Sequence, residues 1–168
     1  FQTMFVGGEF YNDNRWFLDS PTISTENMTF LNGGKACLAV IADYLLDHGI
    51  HKILLPSYLC PSIVTTLEHC GLNCEYYQIN PDFSIDLDDV THKIVENQAL
   101  YFINYFGFLH PDEVQKYFIN LQQKGVFVVE DNAQAGFSDQ SIGNFVFNSM
   151  RKFGPFNGGY LIASYDLT

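Results

Sequence analysis

Short apolar segments alternate with segments of helical periodicity along residues 28–164, and this alternation restricts the fold more than any other feature. Several of the short segments are apolar without a break, as in KILLP (52–56) and VFVVED (126–131). Strands that are buried on both faces have this pattern, and strands that alternate with helices form parallel sheets covered by helices. The sequence therefore predicts an α/β fold, a three-layer sandwich with a mostly parallel sheet of about seven strands.

The predicted elements follow one another closely. Strands are predicted at 28–31, 52–56, 74–79, 99–108, 126–131, 144–149 and 160–164, and helices at 35–49, 61–71 and 111–124. Residues 1–26 are polar and irregular and are predicted to be an N-terminal arm, which leaves residues 27–168 as one large domain. We expect the chain to be part of a longer protein.

Composition excludes some classes of partner. The formal net charge is −11, with only 8 Lys and Arg residues, which argues against a nucleic-acid-binding protein. No apolar run is long enough to cross a bilayer. The 16 Phe and 10 Tyr residues suggest that another surface covers part of this one, as in an oligomer. The four cysteines lack metal-ligand spacing, so we expect free thiols in a cytoplasmic protein and no metal site, with a structural disulfide as the alternative.

Polar residues follow five of the predicted strands. They are Asn32 to Lys35, Ser57 and Tyr58, Asn104 to Gly107, Asp131 to Gln134, and Ser149 to Lys152. Ligands bind beyond the carboxyl ends of the strands in open parallel sheets. The sequence therefore predicts a binding site at that edge.

The first of these groups resembles a phosphate-binding turn. Asn32, Gly33, Gly34 and Lys35 join a strand to a helix, so that free backbone N–H groups lie at the positive end of the helix dipole. The glycine patterns of dinucleotide-binding folds and of P-loops are absent. An ordinary strand-to-helix turn is the alternative.

Asp131 ends a strand that reads as buried, and a carboxylate there is costly unless a cation meets it. One interpretation is a helix N-cap. The other is a carboxylate that pairs with a cationic ring nitrogen, with Gln134 one helical turn further on and able to reach the same ligand.

Lys152 lies just past an apolar strand, beside Phe153 and a Gly-Pro pair. A lysine that is desolvated there would be a nucleophile toward an aldehyde. Ser149, three residues earlier, could donate to a phosphate. The alternative is a surface lysine in a loop.

A phosphate-binding turn, an acid for a pyridinium nitrogen and a lysine for an imine together match pyridoxal 5′-phosphate. With these segments, the chain resembles the fold type I pyridoxal-phosphate enzymes, and most closely the sugar aminotransferases of the DegT/StrS group. The segments that carry the resemblance are GGKACL, ILLPSYLCPS, NYFGF, VVEDNAQ and NSMRKFGPFNGGYLI.

The resemblance implies a role for each matching residue. Lys152 would be the Schiff-base lysine, Asp131 the partner of the pyridine nitrogen, and Gln134 a contact of the ring hydroxyl. Gly33, Gly34, Lys35 and Ser149 would surround the phosphate. The aromatic residue that stacks on the ring in the family falls at Cys60, so Tyr58 could replace it, and Asn104 stands where the family commonly has His.

The resemblance also implies the reaction and the assembly. An amino donor, which the resemblance suggests is glutamate, would pass its amino group to a keto-sugar nucleotide, in a homodimer whose sites lie at the subunit interface. The sheet would have seven strands, one of them antiparallel, and we expect the family's small C-terminal domain to be absent from this chain. Three alternatives stay open: a lyase or dehydratase on the same fold, a non-catalytic sensor or structural homologue, and a Rossmann-type nucleotide binder.

Overall fold

The computed structural model describes residues 28–136, 140–153 and 157–167, so the predicted arm at 1–26 lies outside the described residues. The seven strands are β1 (Met28–Leu31), β2 (Lys52–Pro56), β3 (Asn73–Tyr77), β4 (Ala99–Ile103), β5 (Phe127–Asp131), β6 (Phe145–Ser149) and β7 (Gly159–Ala163). The helices are α1 (Gly34–Asp47), α2 (Pro61–Cys70), α3 (Leu87–Lys93) and α4 (Asp112–Gln123). Every strand predicted from the sequence is present.

One sheet contains all seven strands, in the order β1-β7-β6-β5-β4-β2-β3. β7 is antiparallel to both of its neighbours, and the other pairs of neighbouring strands are parallel. The prediction of a seven-stranded sheet with one antiparallel strand is confirmed.

Helices cover both faces of the sheet, which confirms the three-layer sandwich. Along β4, Tyr101 belongs to the core cluster that includes Cys37 and Leu67 of α1 and α2. Its neighbour Phe102 belongs to the opposite cluster, with Phe118 of α4. The strand is buried throughout because its side chains alternate between two covered faces.

Helix α3 was not predicted from the sequence. Its N-cap is Asp86, whose Oδ1 accepts a hydrogen bond of 3.0 Å from the backbone N–H of Asp89. Acidic residues lie in its first turn and Lys93 in its last, in keeping with the helix dipole. This capping pattern was the signal available in the sequence.

The central parallel strands end at the same edge of the sheet. Asp131 of β5 pairs with Ile103 of β4 and with Phe147 of β6. Because these strands run in the same direction, the residues that follow them meet at one edge. No helix among the described residues is both long and apolar enough to span a membrane.

Candidate active site

A cleft of about 470 Å³ lies at the carboxyl edge of the sheet. Seven of the predicted site residues line it: Gly33, Gly34, Lys35, Cys60, Asp131, Ser149 and Lys152. They come from parts of the chain that are far apart in the sequence: the start of α1, the residue before α2, the last residues of β5 and β6, and the turn after β6. The predicted convergence at this edge therefore occurs for these seven residues.

The N-terminus of α1 forms one wall of the cleft. Gly33 precedes the helix with φ 111° and ψ 179°, a conformation that is essentially restricted to glycine, and no side chain caps the helix. A Cβ on Gly34 would lie 3.5 Å from the Phe147 ring and 3.6 Å from the Ser149 Cβ. The backbone N–H groups of the first turn are thus left open to a ligand on the side where Lys35 also lies.

Ser149 ends β6 beside that turn. Its side chain is buried, at 8% exposure, and its hydroxyl makes no hydrogen bond to any residue that the structure describes. An open donor next to a helix N-terminus is a suitable contact for an anion.

Asp131 lies on the floor of the cleft and is only 4% exposed. Its Oδ2 accepts a hydrogen bond of 2.5 Å from the Tyr101 hydroxyl, and its Oδ1 accepts one of 2.7 Å from the Ala133 N–H. Burial raises the pKa of this carboxyl above 3.8, although both hydrogen bonds and the charge of Lys152 oppose the rise. No cation among the described residues forms an ion pair with Asp131.

The interpretation of Asp131 as a helix N-cap is wrong, because residues 132–136, which follow it, are not helical. Residues 133–135 form a turn closed by a 2.9 Å hydrogen bond from the Ala135 N–H to the Asn132 carbonyl. The carboxylate instead faces the cleft, with Ala133 beside it.

Lys152 closes a short 3₁₀ turn, Met150–Lys152, directly after β6. The side chain is exposed and lines the cleft, so the predicted desolvation is not seen. The charge of Lys152 opposes the larger effect of burial on the pKa of Asp131. The same charge adds to the lowering of the pKa of Cys60, which is due mainly to Ser62. The amine and the buried acid therefore share one cleft.

Three predicted site residues do not line the cleft. Tyr58 is 58% exposed and packs against Phe83, with ring centroids 5.4 Å apart. Gln134 accepts a 3.0 Å hydrogen bond at its Oε1 from the N–H of Phe106, whose φ of 55° is unusual for a side chain of that size. Gln134 therefore holds the strained turn that follows β4.

Asn104 is the third of these residues, and it belongs to a buried polar network around Glu130. Asn104 donates to Glu130 Oε1 at 3.0 Å and to the Asn132 Oδ1 at 2.6 Å. Glu130 Oε2 accepts from the N–H groups of Ile142 and Gly143 at 2.7 and 2.9 Å. Glu130 thus ties the loop before β6 to the ends of β4 and β5.

Sequence reasoning missed this role of Glu130 and the contribution of Ser62 and Ala133 to the lining of the cleft. The side chain of Glu130 is 1% exposed, and a charged residue in the middle of a buried strand was the available signal. The four cysteines are free thiols, as predicted. The described residues contain no group of three or more potential metal ligands.

Comparison with solved structures places this fold in a known class. The chain has the fold of the large domain of pyridoxal-phosphate-dependent transferases. No protein-family model and no curated protein sequence matches it.

Among the similar structures is Spr1654 from Streptococcus pneumoniae, described as a sugar aminotransferase and solved in apo, PLP and PMP forms. Its apo form superposes with a TM-score of 0.69 at 17% identity over 84% of this chain and 42% of that chain. The sugar aminotransferase CalS13 from Micromonospora echinospora gives 0.69 at 18% identity, over 83% and 42%.

The GDP-4-keto-6-deoxymannose-3-dehydratase ColD, with bound GDP-perosamine, gives a TM-score of 0.68 at 14% identity over 82% of this chain and 40% of that chain. These identities are low, so what the chain shares with these proteins is the fold. The chain spans about two fifths of their length.

Proposed function

We propose that the cleft binds pyridoxal 5′-phosphate and that the protein is an aminotransferase of the DegT/StrS type, whose acceptor is a keto-sugar nucleotide. The observation that carries this proposal is Asp131, a buried carboxylate without an ion-pair partner among the described residues, in the same cleft as Lys152. A protonated pyridine nitrogen is a cation that would compensate it.

The residues that are present fit this cofactor. A phosphate would lie at the first turn of α1, where Gly34 leaves room and where Lys35 and the unpartnered Ser149 hydroxyl are within the same cleft. Asp131 would hold the ring nitrogen from the floor, with Tyr101 and Ala133 fixing the orientation of the carboxylate. Cys60 lines the cleft at the position where the resemblance expects a stacking aromatic residue.

When bound, the cofactor supplies an aldehyde that bonds to amines and a ring that accepts electrons from the reacting carbon. Lys152 would supply the amine for that bond and would also be the base that moves a proton at the reacting carbon. Asp131 would stabilise a positive charge on the ring nitrogen. Among the described residues, Asp131 accepts hydrogen bonds from Tyr101 and Ala133, and each carboxylate oxygen has a further lone pair that could accept from the ring nitrogen.

The proposal includes a homodimer. Phe106 and Phe108, which follow β4 at the edge that holds the cleft, are 59% and 75% exposed, and Tyr58 is 58% exposed. Aromatic side chains exposed together usually meet another surface. Sedimentation of the protein as a monomer at micromolar concentration would contradict this part.

A half-reaction tests the function. Protein loaded with pyridoxal phosphate and then mixed with glutamate should release 2-oxoglutarate in an amount that does not exceed the bound cofactor. Mixing with alanine under the same conditions is the control for donor choice. Cofactor binding without any keto-acid release from either donor would favour the non-catalytic homologue.

A dehydratase is the second candidate, because ColD has the same fold. Relatives that dehydrate sugars tend to have His in place of the lysine, so Lys152 favours amino transfer. The two reactions differ in their products, since a dehydratase would release water from the sugar and leave no amino group on it.

A further inference from the structure

The four thiols of the chain lie in very different environments. Burial raises the pKa of Cys37 to about 12 and that of Cys74 to about 11, and it also raises the pKa of Cys70. Thiols of this kind are poor nucleophiles at neutral pH because little thiolate is present. Cys60 is the exposed one of the four.

Cys60 is the N-cap residue of α2, and its side chain lines the cleft. Its Sγ lies 3.2 Å from the Ser62 Oγ. That contact is the main reason that the pKa of the thiol is lowered, and the charges of Lys152 and Lys35 add to the effect. The start of a ten-residue helix also favours a negative charge at this position.

The same cleft contains groups that are able to bind an anion. The ammonium groups of Lys35 and Lys152 form no ion pair with any described residue. Ser149 is 8% exposed and lines the cleft, and its hydroxyl makes no hydrogen bond to any described residue. These are observations independent of the thiol, and they indicate that a ligand of this cleft carries negative charge.

We propose that Cys60 is a covalent modification site, at which a small disulfide that bears carboxylates forms a mixed disulfide within the cleft. The Cys60 thiolate attacks one sulfur of the reagent, a new S–S bond forms, the original S–S bond breaks, and the second half leaves as a thiolate. No other oxidant is needed. The bound half, with its carboxylate near Lys35 and Lys152, excludes any other anionic ligand from the cleft, whichever cofactor the protein uses.

Two disulfide reagents test the proposal on the cofactor-free protein: dithionitrobenzoate, which bears two carboxylates, and the uncharged dithiodipyridine. We expect one thiol to react well ahead of the other three, and peptide mapping should place that label on Cys60. Cys60→Ser should remove the fast phase, whereas Cys70→Ser, the matched control, should keep it.

A separate experiment tests the role of the lysines. Lys35→Gln should slow the reaction with dithionitrobenzoate by about fivefold and the reaction with dithiodipyridine much less, since both reactions lose the small effect of Lys35 on the thiol pKa but only the charged reagent also loses its attraction to the lysine. A fast label mapped to another cysteine, or an equal slowing of both reagents in Lys35→Gln, would overturn the proposal. Peptide mapping of the labelled protein without any substitution does not depend on how well a variant folds.

Discussion

At the scale of single residues, Asp131 limits most strongly what the cleft can bind. It carries a carboxylate at 4% exposure with only two hydrogen-bond donors and no cation in an ion pair among the described residues. Burial raises its pKa, so the folded protein binds a proton more tightly than the unfolded chain does. The stability of the ligand-free protein should therefore fall as the pH rises above 3.8 toward the raised pKa.

Asp131→Asn separates the structural cost of this residue from its binding role. We expect the variant to lack that part of the pH dependence in urea unfolding, because Asn does not ionise. We also expect its affinity for pyridoxal phosphate to fall by about 1.5–3 kcal/mol, the usual contribution of a hydrogen bond to a charged group. Unchanged affinity would show that Asp131 does not face the ring nitrogen.

Glu130 has a structural role that can be tested in the same way. Its two carboxylate oxygens accept from Asn104, Asn132, Ile142 and Gly143. In Glu130→Gln, the new amide group faces donors that it cannot satisfy, so the free energy of unfolding should fall by about 1–3 kcal/mol. Glu96→Gln, at an exposed position, should change it by less than about 0.5 kcal/mol. Similar values for the two variants would contradict the network.

At the scale of elements, the start of α1 contains two glycines that should differ in how well they tolerate a side chain. Gly34→Ala places a methyl group at ordinary contact distance from Phe147 and Ser149, so the fold should remain as stable or gain up to about 1 kcal/mol. The same methyl group covers the first turn, so phosphate binding should weaken roughly tenfold. Thermal unfolding and titration with pyridoxal phosphate measure the two effects.

Gly33→Ala is the matched control. Its φ of 111° is strained for any other residue, so this variant should lose about 1–3 kcal/mol of stability. If Gly34→Ala lost as much stability as Gly33→Ala and bound the cofactor normally, the first turn of α1 would not be the phosphate site.

Elements with strong periodicity were predictable, and those set by tertiary contacts were not. The buried strand β5 and the helix α4 are visible in the sequence because apolar spacing reflects burial. The conformation of the chain after Asp131 was not predictable from the sequence. Gln134 accepts a hydrogen bond from the backbone of Phe106 in another loop, and the chain forms a turn instead of a helix. Short α3 depends on one cap at Asp86, a weaker signal than periodicity.

At the scale of the whole molecule, the sheet explains why distant residues meet. β4, β5 and β6 are neighbours and parallel, so Ile103, Asp131 and Phe147 lie side by side. The predicted alternation of strands and helices indicated a mostly parallel sheet, and the structure adds the order of its strands. The burial of each side chain does not follow from it: Asn104 turned inward to Glu130, and Tyr58 and Lys152 are exposed.

The most direct test is the covalent attachment of the cofactor. Pyridoxal phosphate added to the protein should give the absorbance of a lysine-bound cofactor, and borohydride followed by peptide mapping should find the label on Lys152. Lys152→Ala should lose both signals, and Lys116→Ala, an exposed lysine of α4, should keep them. A label on Lys35, or an absorbance band that persists in Lys152→Ala, would contradict the account.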